Sequence, residues 1–134
     1  IGPVGKMMKP IGLLDFDQAY DYFREQVTIG AAAGADLILI ETMSDLAEMR
    51  AAVLAAKENC NLPIFATMTF TEDGNTLTGT EPEIMALSLD ALSVDVLGVN
   101  CSLGPKELIP IIKRILAFTN KTVMVQANAG IPVT

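Results

Sequence analysis

A chain of 134 residues, 51% hydrophobic and 19% charged, is long enough for one modest core and too apolar to stay disordered. Its net charge of −7 speaks against nucleic-acid binding, which needs clustered Lys and Arg to meet phosphates. With no histidine, the Ser-His-Asp logic and imidazole metal sites are excluded together, leaving Cys, carboxylates, Tyr, Lys and backbone groups for any chemistry.

Two cysteines in unlike surroundings, Cys60 and Cys101, make no disulfide framework and suit a reducing, cytoplasmic setting. Apolar runs such as "ADLILI" are broken by acidic residues or Gly well before a membrane span, and no signal peptide is visible near Lys6 and Lys9.

Taken in chain order, "FDQAYDYFREQVTIGAAAG" places Phe16, Ala19, Tyr20, Phe23, Val27 and Ala31 at helical spacing, with Asp15 as N-cap. "LILIE" (37–41) is a uniformly apolar strand that ends at Glu41. The next helix covers 45–59, where Asp45 and Glu48 have capping-box spacing. "PIFATMTF" (63–70) is a strand, 71–80 a polar loop, and 81–92 a helix with Pro82 in its first turn. "DVLGVN" (95–100) is a strand, and 105–119 a helix expected to bend or restart at Pro110. "TVMVQAN" (122–128) is the last strand. The strands recur at roughly 25–32 residues, the size of a βα unit. Uniformly apolar strands alternating with helices mean an α/β fold with a parallel sheet, doubly wound or a barrel, and no linker divides residues 1–134.

Polar residues gather where strands hand over to loops: Glu41-Thr42, Thr67, Thr69 and Thr71, Asn100-Cys101, and Gln126 to Asn128. In parallel α/β folds the carboxyl ends of strands form the ligand face. Cys101 is a buried thiol, a nucleophile or one ligand of a metal; without histidine to activate it, the nucleophile is disfavoured. Glu41 either pairs with a neighbouring cation or opposes a bound ammonium group, and the strand end favours the second. Thr67 and Thr69 are β-formers or site residues. Cys60 is structural.

Together, "GVNCSLGP", "LILIETMSDLAEMRAAVLAAKE", "ATMTFTEDGNTLTGT" and "VQANAGIP" resemble the homocysteine S-methyltransferase family, in order and spacing over nearly the whole chain. The likeness is strongest to the homocysteine-binding module of its cobalamin-dependent branch. That resemblance implies part of a (β/α)₈ TIM barrel, about strands four to seven with their helices, so residues 1–134 form a partial barrel domain. It implies a zinc ion held by three cysteines, of which Cys101 after Gly-x-Asn matches the first. The other two, an adjacent pair further along the family's chain, have no counterpart here. Glu41 would hold the homocysteine ammonium. Asn128 matches the family's Asn beside the zinc, with Ala127 where Pro is usual, and Thr67 and Thr69 would lie at the substrate.

The implied reaction passes a methyl group from methylcobalamin, carried on another domain, to the zinc-activated thiolate of homocysteine, giving methionine, while a folate-binding domain recharges the cobalamin. With one cysteine of the three, this segment alone is expected to be inactive. Its open barrel edges are expected to cause self-association. Two other readings stand beside this one: a homocysteine methyltransferase using betaine or S-methylmethionine, and a non-catalytic half-barrel that serves as an interaction module.

Overall fold

The chain was analysed as a computed structural model, which describes residues 1–130. Four helices alternate with four strands: α1 (Phe16–Ala32), β1 (Ile38–Met43), α2 (Leu46–Asn59), β2 (Ile64–Met68), α3 (Pro82–Ala91), β3 (Val96–Asn100), α4 (Pro105–Leu116) and β4 (Thr122–Gln126). The strands form one parallel sheet in the order β1-β2-β3-β4. Each strand therefore lies beside the next in sequence, with a helix carrying the chain back, as in part of a (β/α)₈ barrel.

The apolar spacing has its expected consequence. Ala19, Phe23 and Val27, four residues apart, are the buried stripe of α1, which packs on α2. α2 buries Ala51, Ala52, Ala55 and Ala56, small side chains that take up little room between its neighbours. Ile40, Ala66, Leu97 and Val99 carry the core through the first three strands. β4 is less covered: it pairs with β3 alone among the described residues, and Val125 is 42% exposed.

Three local expectations need correction. Asp45 caps α2 by accepting from Ala47 N (2.7 Å), but Glu48 does not close the capping box. Its carboxylate instead accepts from Val4 N (2.7 Å), an amide 44 residues away that offers a buried acceptor a better partner. Pro110 does not restart α4, which runs unbroken to Leu116 because the proline sits on the exposed side of the helix. Glu41 does not end its strand, because β1 continues to Met43. The end of "VQANAGIP", Ile131 and Pro132, lies outside the described residues.

Candidate functional site

Between β1 and β2 the register slips: Ile40 faces Ala66, but Met43 faces Met68, so β1 carries one extra residue across Glu41 and Thr42. Such a bulge re-aims the side chains within it. Thr42 takes φ of 63°, a left-handed conformation that β-branched residues avoid. One buried amide grips it at both ends. Thr42 N donates to Asn100 Oδ1 (2.9 Å), and Asn100 Nδ2 donates to Thr42 Oγ1 (2.7 Å).

Asn100 is the last residue of β3 and only 3% exposed. Its Oδ1 also accepts from Thr67 Oγ1 (2.8 Å) on β2, and its backbone carbonyl accepts from Thr69 Oγ1 (3.1 Å). The second Nδ2 hydrogen points to Cys101 Sγ at 3.4 Å. The orientation of the amide follows from chemistry: a backbone N–H can only donate, so the atom facing Thr42 N must be the oxygen. All four hydrogen-bonding positions of the side chain are filled, and no buried side-chain polar atom is left unpartnered among the described residues.

Cys101 and Ser102 follow with φ of 58° and 61°, two successive left-handed residues that turn the chain sharply off β3. Cys101 is half-buried, with Sγ 3.9 Å from Thr42 Oγ1. Because that hydroxyl already accepts from Asn100, its own hydrogen is free to face the sulfur. Cys101 Sγ thus accepts from the Asn100 amide and lies against the Thr42 hydroxyl, where either atom can donate. The loop is stitched to β4 by Cys101 N to Gln126 O (3.0 Å) and by Asn128 N to Leu103 O (3.1 Å). Asn128 borders a cleft of about 260 Å³ that Ser102, Gly104, Glu72 and Glu107 also line.

The predicted residues therefore fall as follows. Glu41, half-buried, sits in the bulge directly before Thr42; its backbone N–H donates to Ile1 O (2.9 Å), and its carboxylate has no ion pair or hydrogen bond among the described residues. Cys101 and Asn128 lie in the segments that follow β3 and β4, joined where Asn128 N donates to Leu103 O. Thr67 is fully buried, with its hydroxyl donating to Asn100 Oδ1. Thr69 is half-buried and also bonds Asn100. Sequence reasoning placed Asn100 and Thr42 among the polar residues at the strand ends but gave neither a role of its own. The available signal was a carboxamide closing the apolar run "DVLGV", since a buried amide needs built partners.

Electrostatics single out Glu48, 5% exposed, whose carboxyl is pushed above the usual carboxylate range chiefly by burial, against the lowering effect of the Val4 N–H. It borders a separate cavity of about 140 Å³ beneath the N-terminal loop, with Lys6, Met7 and Asp45. Among the described residues no three His, Cys, Asp or Glu side chains gather closely enough to hold a metal. Cys101 is one sulfur donor, and it alone does not complete a zinc site.

A parallel arc of βα units with its polar groups at the carboxyl ends of the strands defines a barrel-type α/β protein. The chain belongs to the homocysteine S-methyltransferase family, whose model matches residues 1–134. It is 31% identical over 138 residues to methionine synthase of Mycobacterium tuberculosis (strain ATCC 25618 / H37Rv), a match covering 99% of this chain and 12% of that protein. Methionine synthase of Mycobacterium leprae (strain TN) is 30% identical over 138 residues, covering 99% of this chain and 11% of the relative. This chain thus spans about an eighth of the curated relatives it matches. Among solved structures, the apo form of the homocysteine methyltransferase MmuM from Escherichia coli superimposes with a TM-score of 0.84 at 21% identity, over 97% of this chain and 48% of the other, a likeness of fold.

Proposed function

We propose that this chain is a segment of the homocysteine-binding domain of a cobalamin-dependent methionine synthase. The observation that carries the reading is the sulfur of Cys101, held by the Asn100 amide beside the Thr42 hydroxyl at the carboxyl ends of the strands, with Glu41 next to Thr42 in the chain and Asn128 N bonded to the Leu103 carbonyl. Cys101 serves as one zinc ligand, and the remaining ligands come from outside this chain. A zinc ion held there would favour loss of the substrate's thiol proton, which matters because a free thiol with pKa about 8.5 is only a few per cent ionised near pH 7.

The residues of this chain bind and orient. Glu41 offers an unpartnered carboxylate to the homocysteine ammonium group, and Asn128 lies at the cleft beside the cysteine loop. Thr67 and Thr69 act through Asn100. The methyl donor is methylcobalamin on a second domain and a folate-binding domain restores it, so the 134-residue segment alone is inactive. The protein works in the cytoplasm, in keeping with two free cysteines. No helix among the described residues is long and apolar enough to cross a membrane.

The test offers homocysteine to the full-length protein carrying this segment, with methylcobalamin, betaine or S-methylmethionine as donor. Methionine is expected from methylcobalamin, with activity lost in Cys101→Ser and KM for homocysteine raised about tenfold in Glu41→Gln, the scale of one charge-assisted hydrogen bond. Transfer from betaine or S-methylmethionine alone would overturn the cobalamin assignment. Full activity in Cys101→Ser would overturn the role of the sulfur.

A further inference from the structure

The amide of Asn100 stands at the meeting point of three strands, and two of its bonds lead to groups placed at the candidate site. We infer that Asn100 is a positioning residue that sets the Cys101 sulfur directly and the Glu41 segment through Thr42. The inference rests on the reading above for what those two groups do, and on geometry alone for how they are held.

The physical basis is a conformation that local sequence does not favour. Thr42 lies at φ 63° and Cys101 at φ 58°, where glycine and asparagine are the usual occupants. Nothing in "ETM" or "NCS" prefers those values, so tertiary bonds must supply the difference. At Thr42 they come from one side chain: Oδ1 takes the Thr42 N–H, and Nδ2 reaches Thr42 Oγ1 and Cys101 Sγ together, while the Cys101 backbone is also held by its N–H on Gln126 O. Thr67 Oγ1 and Thr69 Oγ1 then fix Asn100 itself, at its side chain and its carbonyl. A residue present only to satisfy buried strand ends would not need its two donors aimed at a bulge residue and a sulfur. Partners that orient a metal's ligands are commonly worth 10–100-fold in metal affinity when removed.

Two measurements decide it. The first needs no metal: a double-mutant cycle on the unfolding equilibrium with Asn100→Ala and Thr42→Gly. Glycine adopts positive φ without strain, so Asn100→Ala should cost about tenfold less in the Thr42→Gly background than in the parent. Additive effects, within about twofold, would overturn the inference. Should Asn100→Ala fail to fold, Thr67→Val removes one anchor of the amide while keeping its β-branched shape, and the same cycle with about threefold coupling or more supports the inference. The second measures zinc release to a chelator from the full-length protein. Release should quicken about tenfold in Thr67→Val, yet stay at the parent rate in Val53→Ala, a fully buried α2 residue that makes no bond to the amide. Equal rates in the two variants would reduce Asn100 to a structural group and overturn its positioning role. A parent protein that holds no zinc would sink the ligand reading of Cys101, and the cycle would still decide whether the amide holds the two residues.

Discussion

Gly98→Ala adds one methyl group where β3 and β4 run side by side. A Cβ built on Gly98 overlaps the carbonyl oxygen of Met124 outright and lies 2.8 Å from its carbonyl carbon and 2.9 Å from its nitrogen. All three atoms are backbone, so no rotamer change relieves the clash. Carbon atoms rest near 3.5–4.0 Å, and the two strands would have to part by about 1 Å at this point. The five-residue pairing from Val96↔Thr122 to Asn100↔Gln126 spans the site of the clash. Overpacking costs about 1–3 kcal/mol, and each ladder bond stretched beyond use adds about 1 kcal/mol, so a loss of about 3 kcal/mol is expected. That is a large share of the roughly 5–15 kcal/mol that holds a domain folded. Urea unfolding measures the loss, and amide hydrogen exchange locates it at β4 and at the Cys101 N–H, which donates to Gln126 O. Gly30→Ala in α1 is the control: nothing lies within 4 Å of its added Cβ, and helix propensity predicts a gain of about 0.5–1 kcal/mol. Stability within about 0.5 kcal/mol of the parent in Gly98→Ala, with β4 amides still protected, would refute the reasoning.

The buried Glu48 makes a pH prediction. Its folded carboxyl binds a proton more tightly than the unfolded one, because burial opposes the charge. Its charged form therefore weakens the fold near pH 7, and that penalty fades as pH falls from above the folded pKa towards the ordinary carboxylate range. Glu48→Gln keeps an acceptor for Val4 N, so it should match or exceed parent stability at pH 7 and lose that advantage as pH falls to about 4, read as urea midpoints at the two values. A loss above about 1 kcal/mol at pH 7 would contradict this. The half-covered β4, with Val125 exposed on a strand paired on one side among the described residues, predicts that the isolated 134-residue chain self-associates. Light scattering checks it, and a stable monomer at high concentration would count against it.

The order of elements was legible because each strand is a short apolar run between amphipathic stretches, and a buried parallel sheet needs nothing subtler. Boundaries moved where distant parts of the chain intervened. Glu48 looked like half of a capping box by local spacing, but the N–H that satisfies it comes from Val4. Glu41 looked like a strand end; the bulge and the grip of Asn100 on Thr42 carry β1 two residues further. Pro110 lies midway along α4 on its exposed side, and the helix runs through it. At the site, the clustering of polar residues at strand ends was visible in the sequence. The hydrogen bonds that join them were not, since Thr42, Thr67 and Asn100 meet only after three strands are laid in register.

The most direct test of the account is the zinc content of the full-length protein and its Cys101→Ser variant after exhaustive dialysis. One zinc per chain should remain in the parent and be lost when the sulfur is replaced. Zinc retained at full occupancy by Cys101→Ser would contradict the claim that this sulfur holds the metal.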